Sequence, residues 1–148
     1  MHQHILLPLD GSEFSLKAVP EGIGLAKALR ARLTLITVVS PYHTGVTTPI
    51  TSSIVQEIEK KHDEEAKKDA RKLHVDVAAR ARSEGIECDS LVVIGDSPYE
   101  RIIDNAATRN CDLIVMASHG RRGLDAVLMG SETVKVLTHS TIPVLVVR

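Results

Sequence analysis

The residues best suited to chemistry lie in a glycine-rich stretch near the end of the chain. Nine residues separate Gly120 from the pair Gly130-Ser131, and a helix is predicted to begin near Glu132. A glycine and a serine at a helix start present backbone N–H groups at the positive end of the helix dipole. Such groups suit phosphate oxygens, so the pattern indicates an anion site.

The neighbouring polar residues admit two interpretations. Arg121 and Arg122 either add charge-assisted hydrogen bonds to a bound phosphate or are solvated surface residues. Ser131 either contributes to the anion site or serves only as a helix cap. The residues alone leave both interpretations open.

Five short aliphatic segments predict the sheet that would position these groups. Each is rich in Val, Ile and Leu without polar alternation, which is typical of strands covered on both faces. The alternation of strands and helices demands right-handed crossovers and predicts a single α/β domain over residues 1–148. Its open, doubly wound parallel sheet would carry helices on both faces. The predicted strands are 4–9, 33–39, 90–94, 113–117 and 143–147, and the predicted helices are 12–31, 52–84, 98–109 and 131–138.

One connection stands out by its length. Residues 40–53 are rich in Ser and Thr around Gly45 and Pro49. Connections of this length are either functional lids or passive loops, and both remain open here. The predicted helix that follows is long enough to be one helix or two.

Composition excludes several classes of protein. The chain has 148 residues, of which 43% are hydrophobic, 25% are charged and only 2% are aromatic. Too few aromatic side chains are present for the base-stacking platforms of single-stranded nucleic-acid binders. A net charge of −1 gives no footprint for duplex DNA or an anionic membrane.

The sequence also bears on location and redox chemistry. No apolar run approaches the roughly 18 residues of a membrane span, and no signal peptide is recognisable, so we expect a cytoplasmic protein. Cys88 and Cys111 each adjoin an apolar run and are expected to be buried, inert thiols. The seven histidines show no metal-ligand spacing.

Three familiar catalytic or nucleotide-binding patterns are absent. No GxxxxGK[ST] P-loop occurs, and Gly22-Ile23-Gly24 lies within a predicted helix rather than on a strand-to-helix turn. Asp112 precedes a strand whose far end carries Ser118 and His119. That strand separates them by about 15 Å, which argues against a hydrolytic triad.

Several segments together resemble the universal stress protein family over essentially the whole chain. They are Ile5-Leu6-Leu7-Pro8-Leu9-Asp10-Gly11-Ser12, Gly95-Asp96, Asp112-Leu113-Ile114-Val115-Met116, His119-Gly120-Arg121-Arg122-Gly123-Leu124, Gly130-Ser131 and Pro143-Val144-Leu145-Val146-Val147. The resemblance implies strand order 3-2-1-4-5 and a ligand crevice at the carboxyl ends of the first and fourth strands. It also implies that the third and fourth strands are apart, which speaks against a Cys88–Cys111 disulfide.

The resemblance implies a cytoplasmic stress-response protein that is regulated by bound ATP or Mg-ATP. By matching positions, Asp10 would hold the adenosine and the Val38 backbone would bind adenine. The phosphates would lie against Gly120, Gly130 and Ser131. The full cofactor-binding set is Pro8, Asp10, Val38, Met116, Ala117, His119, Gly120, Arg121, Gly130, Ser131 and Glu132.

Two residues complicate this expectation. Nucleotide-binding members carry Gly-x₂-Gly-x₉-Gly-[Ser/Thr], and the first glycine position is Ala117 here. Glu132, in the first helical turn, would repel a triphosphate unless Mg²⁺ relieved the repulsion. The alternatives are a nucleotide-free dimeric interaction protein and a very slow ATPase.

Among the aromatic residues, only Tyr42 is placed to stack on adenine.

The last strand predicts self-association. Val144, Leu145, Val146 and Val147 form an aliphatic edge strand in the implied order, and exposed edges normally have to be covered. The resemblance implies a two-fold dimer through this strand.

Overall fold

The described residues of a computed structural model, 1–45, 52–119 and 129–148, form alternating strands and helices. The strands are β1 (His4–Pro8), β2 (Arg32–Val39), β3 (Cys88–Ile94), β4 (Leu113–Ala117) and β5 (Val144–Val147). The helices are α1 (Glu13–Leu16), α2 (Ala18–Leu29), α3 (Ser52–Ser83), α4 (Pro98–Thr108) and α5 (Ser131–His139). None of these helices is both long and apolar enough to cross a membrane.

The strands form one parallel sheet in the order β3-β2-β1-β4-β5. This confirms the predicted fold class and strand order. Because β1 and β4 are neighbours that lead to opposite halves of the sheet, their carboxyl ends flank the topological switch point. Ligands of such sheets bind at that point.

Alternate residues of each strand pack into two cores. Leu7, Leu35 and Val115 face a cluster completed by α2 and α3, whereas Leu6 and Ile114 face a cluster completed by α4 and α5. All five of these side chains are fully buried. Burial on both faces explains why the strands are continuously aliphatic.

The structure divides the first predicted helix, 12–31, into two helices, so the prediction of one continuous helix is wrong. α1 ends at Leu16 and α2 begins at Ala18. Pro20 has no N–H to donate to the Leu16 carbonyl, and its ring would clash there in a continuous helix. The clash is avoided because a new helix begins at Ala18, which places Pro20 in a first turn, where proline is tolerated.

Two other boundaries are resolved by the structure. The long helix is a single element of 32 residues. Strand β3 begins two residues before its predicted start, at Cys88, and extends over the polar residues Asp89 and Ser90. Both residues are exposed because β3 is an edge strand; the predicted strand included Ser90 but not Asp89, whose charged side chain gives no aliphatic signal.

Both cysteines are buried and free. Burial raises the pKa of each thiol to about 11, which keeps it protonated and unreactive near neutral pH. Strands β2 and β1 lie between β3, which carries Cys88, and β4, which follows Cys111. The expectation of two inert, unpaired thiols is confirmed.

Candidate functional site

The chain leaves β1 through a hydrogen-bonded turn at Asp10. The Asp10 Oδ1 atom accepts bonds from the Ser12 N–H at 2.9 Å and the Ser12 hydroxyl at 2.6 Å. Ser12 in turn caps α1 by accepting the Ser15 N–H at 3.1 Å. Gly11 adopts a φ of 81°, which a residue with a side chain rarely takes. The turn therefore holds the Asp10 carboxylate at the carboxyl end of β1.

The end of β4 is tied directly to the start of α5. The Ser118 N–H donates to the Val147 carbonyl at 2.7 Å, and the Gly130 N–H donates to the Ser118 carbonyl at 2.7 Å. Gly130 is the cap residue of α5, and Ser131 is its first helical residue. Because β4 adjoins β1, this bond brings the Gly130-Ser131 pair to the same edge of the sheet as Asp10.

The Glu132 carboxylate is engaged by other groups. Its Oε2 atom accepts the Tyr99 N–H at the start of α4 at 2.9 Å, and its Oε1 atom accepts Lys135 Nζ at 2.9 Å. The charge therefore caps a second helix and pairs with a cation. This arrangement reduces the repulsion that its position in the first turn of α5 would otherwise exert on a phosphate.

Ala117, the departure from the glycine motif, faces the protein core. It is 6% exposed and belongs to the core cluster beneath α2 and α3. Its carbonyl accepts the Thr133 hydroxyl of α5 at 3.0 Å. The added methyl group thus contributes to packing, while the backbone of the same residue holds α5 in place.

The Val38 backbone lies where the β1–β2 ladder stops. Even-numbered residues of β2 bond to β1, as shown by the Arg32 N–H to Gln3 carbonyl bond at 3.0 Å and the Leu9 N–H to Ile36 carbonyl bond at 2.8 Å. Val38 follows in this series. Its N–H and C=O therefore point toward the β1 side, beyond the last paired residues of β1.

Ser118 and His119 form a pair without a carboxylate partner in the described part of the chain. Ser118 Oγ lies 2.9 Å from His119 Nδ1, and His119 Nε2 is buried without a hydrogen-bond partner there. Asp112 instead accepts the Gln3 and His4 N–H groups at the other end of β4. The predicted separation of Asp112 from this pair is confirmed.

The remaining predicted residues lie in different places. Pro8 is the last residue of β1 and Met116 is buried beneath α4 and α5. Gly120 and Arg121 fall outside the described residues, as do Arg122 and Gly123.

A cavity of about 200 Å³ lies beside this region. Among the predicted site residues that the structure describes, His119 alone lines it. The other described lining residues are Phe14, Lys17, Ser118, Met129, Val147 and Arg148. Within residues 1–45, 52–119 and 129–148, no cluster of three or more His, Cys, Asp or Glu side chains could hold a metal ion.

Tyr42 is held against helix α3. Its ring stacks on His62 of α3 with centroids 4.3 Å apart, and its N–H donates to Asp63 at 3.0 Å. The Thr44 N–H donates to Glu59 at 2.9 Å. The described beginning of the 40–53 segment is therefore held on α3. His62 covers one face of the Tyr42 ring, so the expected stacking on adenine would have to use the other face. Residues 46–51 lie outside the described residues.

Two residues near the site were missed by sequence reasoning. Thr37 of β2 donates its hydroxyl to the Leu9 carbonyl at 2.7 Å, and its Oγ1 lies 2.8 Å from Nε2 of the buried His74. His74 lies between the buried Ala70 and Val77 at helical spacing. That spacing indicates, from the sequence alone, that His74 faces the core.

These features define a doubly wound α/β protein whose candidate site lies at the carboxyl ends of β1 and β4. The profile of the Universal stress protein family matches residues 1–148, and the chain belongs to that family.

Individual relatives cover the whole chain. Universal stress protein YxiE of Bacillus subtilis is 33% identical over the full length of both chains. Universal stress protein MJ0531 of Methanocaldococcus jannaschii is 31% identical over all of this chain and 83% of its own. The solved structure of MJ0577 matches 99% of this chain and 96% of its own, with a TM-score of 0.79 and 26% identity.

Solved structures of the same fold contain nucleotides. One universal stress protein was solved in complex with cAMP, at 24% identity and a TM-score of 0.66. The universal stress protein of Archaeoglobus fulgidus was solved in complex with dAMP, at 17% identity and a TM-score of 0.60. At these identities the likeness to this chain concerns the fold.

Proposed function

We propose that this protein is a cytoplasmic stress-response regulator that binds ATP at the carboxyl ends of β1 and β4. The observation that carries the proposal is the bond from the Gly130 N–H to the Ser118 carbonyl. It fixes a glycine-serine helix start, in the spacing of the family's nucleotide motif, beside the Asp10 turn. The first N–H groups of a helix have no intrahelical partner and suit phosphate oxygens.

Two further features support a nucleotide at this place. Val38 offers one backbone donor and one acceptor beyond the end of the β1–β2 ladder, which suits the edge of adenine. The Glu132 charge is directed to Tyr99 and Lys135. Mg²⁺ would be held by the phosphates themselves together with water, as is usual for this ion.

Release and titration experiments test ATP binding. The purified protein should release an adenine nucleotide on denaturation, or should bind Mg-ATP in calorimetry. We expect Ser131→Ala to weaken binding several-fold because the variant lacks the first hydroxyl of α5. Ser90→Ala, at an exposed serine on β3, is the matched control and should bind normally. A flat titration into the millimolar range, with no nucleotide released, would refute the proposal.

A nucleotide-free interaction protein is the second candidate, favoured by the alanine at position 117. Its burial in the core means that Ala117→Gly would not open the crevice, so flat titrations of both wild type and variant would support this candidate. Any ATP hydrolysis is expected to be feeble, because a side chain near a phosphate, such as Asp10 or His119, does not by itself activate a water molecule. Turnover near the enzymatic median of about 10 s⁻¹ would contradict this.

Either function is proposed to operate in a homodimer formed through β5. This strand lies at the edge of the sheet and leaves one row of N–H and C=O groups unpaired by other described strands. Leu145 is 43% exposed there, and Val134 and Leu137 of the adjacent α5 are 46% and 40% exposed.

Light scattering tests the dimer. Wild type should be dimeric at concentrations well above micromolar, and Leu145→Lys should be monomeric because its charge would be buried at the paired edges. Ile58→Lys, at an exposed apolar residue of α3, is the control and should remain dimeric. A monomeric wild type would contradict this interface.

A further inference from the structure

A chain of buried hydrogen bonds connects α3 to the end of β1. The Thr37 hydroxyl donates its hydrogen to the Leu9 carbonyl at 2.7 Å. Thr37 Oγ1 must therefore accept from His74 Nε2, which lies 2.8 Å away. Thr37 and His74 are 7% and 1% exposed. The two side chains thus hold the backbone of the residue that directly precedes Asp10.

The chain of bonds changes how the sheet ends. The ladder between β1 and β2 pairs the Arg32 N–H with the Gln3 carbonyl, an offset of 29 residues. The same offset would pair the Val38 N–H with the Leu9 carbonyl. Leu9 accepts the Thr37 hydroxyl instead, and among residues 1–45, 52–119 and 129–148 no backbone group of the β1 side bonds to Val38.

The Asp10 turn completes the separation of the two strands. With regular pairing, the Gly11 N–H would donate next, to the Val38 carbonyl. The bonds from Ser12 to Asp10 and the positive φ of Gly11 turn the chain out of the sheet at this step. Both polar groups of the Val38 backbone are consequently left at the crevice.

We propose that Thr37 and His74 are positioning residues of the nucleotide site. By occupying the Leu9 carbonyl they keep the Val38 N–H out of the sheet ladder. Together with the Asp10 turn, which frees the Val38 C=O, this leaves both groups available to a purine edge, which presents one acceptor and one donor. The nucleotide role of the pair rests on the proposed function. Its effect on the Val38 backbone is independent of any ligand.

The molecule contains a matched control for this pair. On the opposite face of the sheet, His4 Nε2 lies 2.7 Å from Thr34 Oγ1, and both residues are buried. Thr34 belongs to the same strand as Thr37, but it lies opposite Leu6, within the ladder. Removing its hydroxyl also breaks a buried threonine–histidine hydrogen bond but does not change the end of the ladder.

The first experiment compares Mg-ATP affinity by calorimetry in variants whose folding is verified by circular dichroism. Thr37→Val keeps the side-chain shape and lacks the hydroxyl, and it should weaken binding at least tenfold. Thr37→Ser restores the hydroxyl and should bind within about threefold of wild type. Thr34→Val should bind within about twofold. Equal affinity of Thr37→Val and wild type would overturn the nucleotide role.

The second experiment measures amide hydrogen exchange without nucleotide. In wild type the Val38 amide should exchange much faster than that of Ile36, which lies within the ladder. In Thr37→Val the Leu9 carbonyl is free to accept the Val38 N–H, so hydrogen exchange of the Val38 amide should slow at least tenfold. A Val38 amide as protected as Ile36 in wild type would overturn the inference. Failure of wild type to bind ATP would instead refute the proposed function, while exchange still decides whether the pair controls Val38.

Discussion

The two ends of the sheet use buried histidine and threonine differently. At the amino end, His4 donates from Nδ1 to the Arg109 carbonyl at 3.1 Å and accepts the Thr34 hydroxyl at Nε2. Asp112 also accepts the Gln3 and His4 N–H groups there. At the carboxyl end, His74 uses Nε2 alone, and its Nδ1 is buried without a partner among the described residues.

The hydrogen bonds at the amino end extend the sheet, whereas those at the carboxyl end terminate it. The amino-end bonds tie β1 to β2 and to the residues before β4, so they complete the pairing of strands. The carboxyl-end bonds occupy the carbonyl of Leu9, the residue directly after β1, and stop the pairing. A cavity of about 790 Å³ beside Gln3 and Asp112 lies at the amino end and is larger than the one beside His119. Cavity volume alone would therefore place a ligand at the amino end of the sheet and not at the switch point.

The largest expected effect is an acid sensitivity contributed by His74. Burial lowers its pKa from 6.5 to about 4. The unfolded chain therefore takes up a proton below about pH 6.5 that the folded protein refuses, so stability falls from there toward pH 4. The contribution amounts to about 3 kcal/mol at pH 4. Denaturant titrations at pH 7 and pH 4 measure it.

His74→Gln isolates this effect because glutamine keeps a donor and does not titrate in this range. Its loss of stability between pH 7 and pH 4 should be smaller than that of wild type by about 3 kcal/mol. Burial also lowers the pKa of His4, but that residue is present in both proteins and cancels. Identical pH dependence in the two proteins would show that His74 is not kept neutral.

An intermediate effect is expected at the amino end. Thr34→Val leaves His4 Nε2 buried without a donor, which should lower the free energy of unfolding by about 2 kcal/mol at pH 7. Thermal or urea denaturation measures this change. A loss of ATP affinity beyond about twofold in the same variant would break the distinction between the two ends.

The smallest effect is expected at Ala117. Ala117→Gly removes a methyl group from the core and should cost about 1 kcal/mol of stability. Because the methyl group faces the core, the variant should gain no ATP affinity, which titration can measure. A several-fold gain would mean that the alanine obstructs the site after all.

Most of the fold was predictable because its signals are local. Continuous aliphatic segments marked β1, β2, β4 and β5 to within one residue at each end. The division at Lys17 was missed because helical periodicity continues through it, although Pro20 already forbids one continuous helix. The predicted strand β3 was too short because Asp89, on an exposed edge, carries no apolar signal and separates Cys88 from the aliphatic segment.

The site was less predictable because it depends on register. The motif residues Gly130 and Ser131 could be located from spacing, and Asp10 from its place after β1. That Thr37 reaches the Leu9 carbonyl follows only once β1 and β2 are aligned residue by residue. The direction of Glu132, toward the start of α4, likewise depends on how two helices pack.

Helix α3 has a mechanical consequence for the crevice. Its residue His62 supports Tyr42 of the loop after β2, and its residue His74 supports the turn after β1 through Thr37. Twelve helical residues, about 18 Å of a stiff rod, separate the two supports. The loop and the turn are therefore anchored to one continuous helix, whose rise per residue fixes the spacing between the two anchors.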